Sequence, residues 1–305
     1  IERVELMVPQ DALVRHLDAT VGAIEYPRMG MAYVNYLIAQ RVAQDAKVVL
    51  SGTGGDEVTG GYVGRYAIVP RAAPASLMRR ALQRLRAGAA GRAASSDAFA
   101  LYRASLNVPI SAERIKDAFT PEFLRAAGGF DPLAAIGDAI GSVPSQDPWD
   151  VIMHVDMTTY LPGLLALADK LSMAHSLEAR VPLLDNELVD YLLNVDWSLL
   201  SDGSTGKILF REAVRPLVPD TIYRKPKMGF GPPDASWYRG ILRSWIEEQL
   251  SESRIRQRGV LQYDFVRRIL NEHFEDRASH VALIWCLLSF ESWCKQHGAY
   301  GGALH

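Results

Sequence analysis

Residues 47–62 read KVVLSGTGGDEVTGGY, in which a short apolar run breaks into a loop of glycines and acids. The run at 48–50 has the length and the β-branched content of a buried parallel strand. The glycines let the backbone approach a bulky anion without a Cβ clash. Asp56 and Glu57 place carboxylates at the carboxyl end of that strand, where open α/β sheets bind ligands. Backbone amides facing phosphate beside a carboxylate for Mg²⁺ predict nucleotide chemistry, and the alternative is a strand followed by a simple glycine turn.

Length and composition are those of an ordinary globular protein. The 305 residues suggest about two domains, and 49% of them are hydrophobic, enough for a sizeable core. A net charge of -2 gives no field for nucleic acid or an anionic membrane, and we see no run of the roughly 18 to 20 apolar residues that a transmembrane helix needs. Cys286 and Cys294 are spaced about 12 Å apart along a helix, too far for a disulfide. We therefore expect core thiols, a cytoplasmic location, and neither nucleic acid nor membrane as partner.

The first part of the chain has an α/β pattern. Strands are predicted at 4–8 and 47–51, with helices at 10–22 and 30–45 between them. Strand, helix, helix, strand suits a parallel layer, but two parallel strands make a poor sheet alone. Because the chain also starts with Ile1 and not with methionine, we expect sheet-forming sequence before residue 1.

Three regions are predicted along the chain. Residues 1–70 form the C-terminal part of an α/β core, 71–148 a helical insertion with a basic loop, and 149–305 a helical region that packs on the core and closes the site. The stretch 71–96 contains several arginines and no acidic residue, and it has no aromatic residue that could stack on a base. A solvated basic helix followed by a mobile loop at 88–96 is favoured over a nucleic-acid interface.

Helices are also predicted at 186–194, 205–217 and 278–296, and the last is a core helix. Ser204 or Thr205 is the expected cap of the second of these.

Three further segments carry charged side chains that could do chemistry. Residues 167–185 read LADKLSMAHSLEARVPLLD, where a structural ion network (Glu178 with Lys170 or Arg180) and an active site are equally good interpretations. The histidines are scattered, so neither a Ser-His-Asp triad nor a zinc site is supported.

The other two segments are basic. Lys207 and Arg211 lie four apart on a predicted helix, where a surface role is the favoured interpretation. Residues 223–233, YRKPKMGFGPP, form a cationic loop that either closes over phosphates or is a basic surface turn.

In this order, the segments resemble one family. The motifs are SGTGGDEVTGGY, ADKLSMAHSLEARVPLLD, GKILFREAVRPLVPDTIYRKPKMGFGPP and HVALIWCLLSFESW. Together they resemble the synthetase domain of glutamine-hydrolysing asparagine synthetases, from about residue 4 to 297. The joint match is specific, although each motif alone is not.

The resemblance implies a fold and a reaction. The fold is α/β, a partial parallel sheet of the ATP-pyrophosphatase (adenine nucleotide α-hydrolase-like) type, followed by a mainly α-helical region. The reaction is that of a ligase for asparagine biosynthesis: ATP with Mg²⁺ adenylates a carboxylate, with aspartate as first candidate, and ammonia from glutamine then forms the amide. A homodimer is an open expectation.

The resemblance also implies residue roles. Ser51, Gly52 and Gly54 would lie against the nucleotide, and Asp56 would help to hold Mg²⁺ on the pyrophosphate.

Four more residues are implied in catalysis or in the substrate pocket. Lys227 would neutralise charge on the departing phosphates, while Glu178 and Arg180 would shape or support the substrate pocket. Thr53 stands near the acyl group, where the family usually carries an acid. Since a neutral hydroxyl cannot serve as a carboxylate base, aspartate is placed in doubt as the substrate.

Two family features are missing from the sequence: the Ser-Gly-Gly-x-Asp-Ser phosphate loop and the N-terminal glutaminase. The chain alone is therefore expected neither to hydrolyse glutamine nor to activate a substrate well. The alternatives are a β-lactam synthetase-like or other natural-product amide ligase, favoured by Thr53, and a non-catalytic degenerate module, favoured by the missing loop.

Overall fold

A computed structural model gives the fold and describes residues 3–28, 30, 32–66, 102, 116–129, 131, 134–143, 145, 147–225 and 231–298. Within these residues the chain is mostly helical and has two short strands, β1 (Val48–Leu50) and β2 (Glu178–Arg180). The helices are α1 (Ala12–Ile24), α2 (Ala32–Val42), α3 (Gly55–Thr59), α4 (Val63–Tyr66), α5 (Pro121–Ala126), α6 (Ala134–Gly141), α7 (Pro148–Val155), α8 (Leu161–Met173), α9 (Asn186–Leu193), α10 (Ile208–Val214), α11 (Asp220–Tyr223), α12 (Asp234–Arg239), α13 (Arg243–Gln249), α14 (Glu252–Arg258), α15 (Tyr263–Phe274) and α16 (Val281–His297). A π turn covers Asp156–Tyr160, and 3-10 turns cover Lys116–Ala118, Pro182–Leu184, Trp197–Leu199 and Arg215–Leu217.

The sheet joins two stretches that are far apart in sequence. β1 and β2 are parallel, with Val49 opposite Ala179. The strand predicted at 47–51 is present and parallel, but the prediction that it is buried is wrong, because Val48 and Leu50 are 44% and 71% exposed. The strand predicted at 4–8 is also wrong: those residues have no regular structure, and Met7 is 85% exposed. The mixed α/β class is confirmed, and the ATP-pyrophosphatase fold stays a prediction.

Most predicted helices are present with shifted ends. The helices predicted at 10–22 and 30–45 are α1 and α2, and those predicted at 186–194 and 278–296 are α9 and α16. The helix predicted at 205–217 is shorter, because α10 passes into a 3-10 turn at Pro216, which has no N–H to donate. Its N-cap is Lys207, so the predicted caps Ser204 and Thr205 are wrong.

The first core is the larger of two hydrophobic clusters. It packs α1 and α2 against the helices from α12 to the end of the described chain, around side chains such as Leu13, Ile246 and Trp285, all fully buried. The Trp285 indole donates to the carbonyl of Arg28 at 2.8 Å and so fixes the loop after α1. The prediction that the last long helix is a core helix is confirmed.

The second core lies beneath the glycine- and acid-rich loop. It includes Val58, Tyr66, Tyr102, Ile152 and Leu200, each at most 3% exposed. The α3, α4 and α7 helices contribute to it, so the loop after β1 rests on this cluster.

Pro148–Met173 is the one described helix long and apolar enough to cross a membrane, which the sequence inspection missed. It comprises α7, the π turn and α8, and a fully buried carboxylate, Asp156, lies within it at the start of the π turn. Ile152 and Leu171 of this run pack into the second and the first core respectively, as in a core helix. One such helix does not indicate a membrane protein.

The two cysteines are free, as predicted. Cys294 is fully buried and Cys286 is partly buried. Burial raises the pKa of each thiol to about 11, so both are held as unreactive thiols.

Candidate active site

The end of β1 brings together two of the motifs that the sequence singled out. Leu50 is paired with Arg180 on β2, and the Ser51 N–H donates to the Arg180 carbonyl at 2.7 Å. The SGTGGDE loop and the SLEARVP segment therefore leave the same edge of the sheet. This is the carboxyl edge, where ligands bind in open parallel sheets.

The loop after β1 is held by hydroxyl groups and by a left-handed glycine. The hydroxyls of Ser51 and Thr53 are hydrogen-bonded to each other at 2.8 Å, and the Thr53 N–H donates to Ser51 Oγ. Gly54 has φ +90°, and a Cβ there would lie 2.5 Å from the side chain of Leu184. A Cβ at Gly52, which is exposed, would meet no atom of the described residues within 4 Å, so within that part of the chain the loop faces open space here. The loop can thus present its backbone to a ligand at Gly52, while Gly54 is closed off by packing.

An ion pair lies at the end of this loop. The Lys207 ammonium is 2.9 Å from Asp56 Oδ1, and the two side chains are 29% and 25% exposed. A Cβ on Gly61 would come 1.9 Å from that carboxylate oxygen, and a Cβ on Gly206 would come 2.5 Å from the Gly60 carbonyl. Gly61 and Gly206 therefore allow the start of α10 to approach the loop closely enough for Lys207 to reach Asp56.

Lys207 is partly exposed, as the favoured prediction of a surface role implies, but its ammonium also meets Asp56 at the loop, which that prediction does not include. Its backbone is left-handed, at φ 57° and ψ 33°, a conformation that costs free energy for a residue with a side chain. Arg211 does not share its environment, because that guanidinium donates to the Tyr223 carbonyl at 2.8 Å. Sequence reasoning placed both on one helix face, although the helix begins only after Lys207. The Gly206–Lys207 pair, a glycine just before an apolar helix, was the available signal.

The second acid of the loop has a structural role. Glu57 is 1% exposed and accepts a hydrogen bond from the Tyr62 hydroxyl. Burial, together with the Glu57 carboxylate, raises the pKa of Tyr62 well above its usual range, so this phenol keeps its proton. Of the two acids of this loop, Asp56 is the partly exposed one, at 25%, and its partner there is the Lys207 ammonium.

The charged residues of the 167–185 segment do not form one cluster. Glu178 and Arg180 form a pair at 2.9 Å on β2, but both are mainly exposed. Lys170 pairs with Glu25 of the first core region instead. Asp185 caps α9 through the N–H of the second helical residue at 3.0 Å. Of these residues, Glu178 and Arg180 lie closest to the loop along the sheet, through the pairing of β2 with β1.

Lys227, the cation expected to neutralise phosphate charge, lies outside the described residues, as do the predicted basic region 71–96 and its loop at 88–96. Their roles stay predictions.

The donors present can be tested against Mg²⁺ and ATP. No group of three or more His, Cys, Asp or Glu side chains that could hold a metal occurs among the described residues. Asp56 offers one carboxylate, and Glu57 is engaged by Tyr62. Mg²⁺ is commonly bound by one or two carboxylates plus substrate phosphates and waters. The site therefore fits a magnesium ion that arrives with a nucleotide, and not a metal held by protein ligands alone.

Comparisons with known proteins identify relatives along most of the chain. A family model described as asparagine synthase matches residues 1–295. A Mycobacterium bovis protein, named provisionally as a glutamine-hydrolysing asparagine synthetase, is 30% identical over 304 residues, covering 94% of this chain and 45% of the relative. Bacillus subtilis asparagine synthetase [glutamine-hydrolyzing] 3 is 26% identical over 284 residues, covering 92% of this chain and 41% of its own.

A shorter match joins the chain to a differently named protein. Amidase chry2 of Gibberella zeae is 27% identical over 135 residues, 42% of this chain and 20% of that protein. Nearly all of the chain matches the Mycobacterium bovis and Bacillus subtilis relatives, but it spans less than half the length of each of them. Because the family match covers nearly all of the chain, and includes the loop, the β2 segment and Lys207, this protein belongs to the asparagine synthase family.

Proposed function

We propose that this protein supplies the synthetase activity of an ATP-dependent, amide-forming ligase. The observation that carries the proposal is the Asp56–Lys207 pair at the carboxyl end of β1, beside a glycine loop with open space at Gly52. A carboxylate and an ammonium adjacent to accessible backbone amides suit a nucleoside triphosphate with its magnesium ion. Membership of the asparagine synthase family supports the same chemistry.

The proposed reaction has two steps. A carboxylate oxygen of the substrate attacks the α-phosphorus of ATP, the bond to the β-phosphate oxygen breaks, and pyrophosphate leaves. The nitrogen of ammonia then attacks the acyl carbon, AMP departs with the bonding electron pair, and the nitrogen loses a proton. Charge that develops on the departing phosphates has to be neutralised, which is the main contribution of a protein to phosphoryl chemistry.

The described residues can be given roles in this reaction. Asp56 would share the magnesium ion that ATP brings, and Ser51 and Gly52 would face the nucleotide. We add Lys207 to the predicted residues: its ammonium lies at the same carboxylate and would neutralise phosphate charge together with Lys227. Glu178 and Arg180, on the strand that pairs with β1, would border the substrate pocket.

The acceptor carboxylate is proposed to be aspartate first, with another carboxylate as the alternative. Thr53 gives the alternative its support, because its hydroxyl is bonded to Ser51 and no carboxylate stands there to serve as a base. One relative, Amidase chry2, does not carry the name of an asparagine synthetase, which is in keeping with a substrate other than aspartate. Ammonia from glutamine, a homodimer and a cytoplasmic location remain expectations from the resemblance.

Pyrophosphate release by the full-length gene product tests the proposal. The protein is given ATP, Mg²⁺ and ammonia, with aspartate, with a panel of other carboxylates, or with none, and Asp56→Asn is the control for contaminating activity. Release that depends on aspartate would establish asparagine synthesis despite Thr53. Release with another carboxylate alone would support the alternative ligase. No release with any carboxylate would leave the degenerate, non-catalytic module as the better description.

A further inference from the structure

A buried carboxylate lies beneath the candidate active site. Asp156 is fully buried at the start of the π turn between α7 and α8. It accepts hydrogen bonds from the hydroxyls of Tyr66 at 2.9 Å and Tyr102 at 3.0 Å, and from the guanidinium of Arg65. A buried charge is tolerated only when it is paired in this way, so the carboxylate is the centre of a network.

Arg65 is fixed from its other side by aromatic rings. Its side chain is 11% exposed, and the guanidinium carbon lies 5.8, 5.4 and 4.7 Å from the ring centres of Tyr62, Tyr102 and Tyr160. These distances suit cation–π attraction, which strengthens when the cation is removed from water. Arg65 therefore has little freedom as long as Asp156 is charged.

The network is joined to Asp56 through a short stretch of chain. Arg65 and Tyr66 belong to α4, which starts directly after Tyr62, the residue whose hydroxyl bonds Glu57. One step earlier, the Gly61 N–H donates to the Asp56 carbonyl at 2.8 Å. Residues 56–66 thus form a closed unit whose far end is anchored on Asp156.

We propose that Asp156 is a positioning residue for Asp56: by holding Arg65 and α4, it fixes the carboxylate that meets the metal and the pyrophosphate. The inference rests on the proposed function. Ligating carboxylates depend on groups outside the site for their orientation, and loss of such a group commonly weakens metal binding. π turns within helices also occur often at functional sites.

The test compares Asp156→Asn with the milder Tyr66→Phe in the full-length protein. Binding of Mn²⁺ in the presence of pyrophosphate is followed by electron paramagnetic resonance, and Mg²⁺ dependence is followed by pyrophosphate release. We expect the half-saturating metal concentration to rise by about 10-fold in Asp156→Asn, the low end of the effect of losing a group bonded directly to a ligand, because Asp156 acts through Arg65 and α4. The rise in Tyr66→Phe should be smaller. The rate at saturating metal should fall much less than the metal affinity.

Glu291→Gln is the matched control, because Glu291 is a second buried acid, 6% exposed and 3.2 Å from Arg258, but in the first core. It should lower the melting temperature and leave metal affinity unchanged. Unchanged metal affinity in a folded Asp156→Asn, or in Tyr66→Phe if the first variant does not fold, would overturn the inference alone. A wild-type protein that binds no Mn²⁺ with pyrophosphate would overturn the proposed function and this inference with it.

Discussion

The two hydrophobic cores differ in how many of their buried polar atoms are hydrogen-bonded. In the first core, Asp234 Oδ2, the Tyr238 hydroxyl and His273 Nε2 are buried and have no hydrogen-bond partner within the described chain. In the second core, Asp156 accepts from three donors, and the Arg65 Nε is the one buried side-chain atom of that network left unpartnered among the described residues. Unpaired buried groups cost stability, whereas a paired network fixes geometry. The first core is thus expected to contribute to stability alone, and the second to contribute both to stability and to the shape of the site.

Matched alanine substitutions in the two cores would test whether only the second core affects the site. They are expected to change the unfolding free energy more than any other variant proposed below. Ile246 of the first core and Ile152 of the second are 0% and 1% exposed. Each Ile→Ala change should cost about 2 to 5 kcal/mol of unfolding free energy, measured by urea denaturation. Only Ile152→Ala should also raise the Mg²⁺ requirement of pyrophosphate release. Equal shifts in both variants would show that the cores do not differ in this way.

Asp56→Asn would sharpen the comparison at the loop itself. The rate of pyrophosphate release should fall by about 100- to 1,000-fold, the scale of losing one charged group from a preorganised site. Stability should change by less than about 1 kcal/mol, since the pair with Lys207 is partly exposed. Asp18→Asn is a matched control, because Asp18 pairs with Lys295 at 2.6 Å beside the first core and should leave the rate unchanged. A similar loss of rate in both variants would contradict the special role of Asp56.

A pH series would test the unpaired groups of the first core. Asp234 accepts from the Tyr33 hydroxyl at 2.7 Å, and burial raises the pKa of its carboxyl from 3.8 to about 6. The folded state therefore holds a proton that the unfolded state releases, so stability should fall as pH rises from about 4 to 6 and level off above. The total is at most about 3 kcal/mol at 1.36 kcal/mol per unit of pKa.

Asp234→Asn removes this titration. Relative to wild type, the variant should gain stability between pH 4 and 6, as measured by urea denaturation at each pH. Parallel curves for the two proteins would show that Asp234 does not titrate in this range.

The smallest effect is expected at the exposed pair on β2. Glu178 and Arg180 are 56% and 63% exposed in their side chains. Glu178→Gln or Arg180→Ala should therefore change the unfolding free energy by less than about 1 kcal/mol. If these residues border the substrate pocket, the KM for the carboxylate should still rise. An unchanged KM would remove them from the pocket.

The sequence predicted those features of the fold that depend on neighbours in the chain. The run at 48–50 is continuously apolar and two of its three residues are β-branched, and the helices α1, α9 and α16 follow from their apolar spacing. β2 was missed because the residues Glu-Ala-Arg hold a single apolar side chain and form a strand only beside β1. The unpaired segment 4–8 has the same kind of local pattern as a strand but no partner in the described structure.

The sequence predicted the part of the site that lies within one stretch of chain, but not the residues that long-range contacts bring to it. The glycines next to Asp56 in the sequence point to it as a site residue. Its partner Lys207 is distant in the sequence and reaches Asp56 only because Gly61 and Gly206 allow the two segments to approach closely. Asp156 and Arg65 are 91 positions apart, so no local spacing connects them. Asp156 is nevertheless the single acid of the largely apolar stretch 151–167, which was a sign of a buried, paired charge.

The glycines of the loop also determine where this protein can be re-engineered. At Gly61 even the methyl group of alanine would lie 1.9 Å from the Asp56 oxygen and 2.6 Å from Lys207 Cε, so any other residue would push both side chains of the ion pair aside. A randomised library selected for activity should therefore return mostly glycine there. At Gly52 an added methyl group meets nothing within 4 Å. A designer who wishes to alter ligand choice should therefore diversify position 52 and keep position 61 constant.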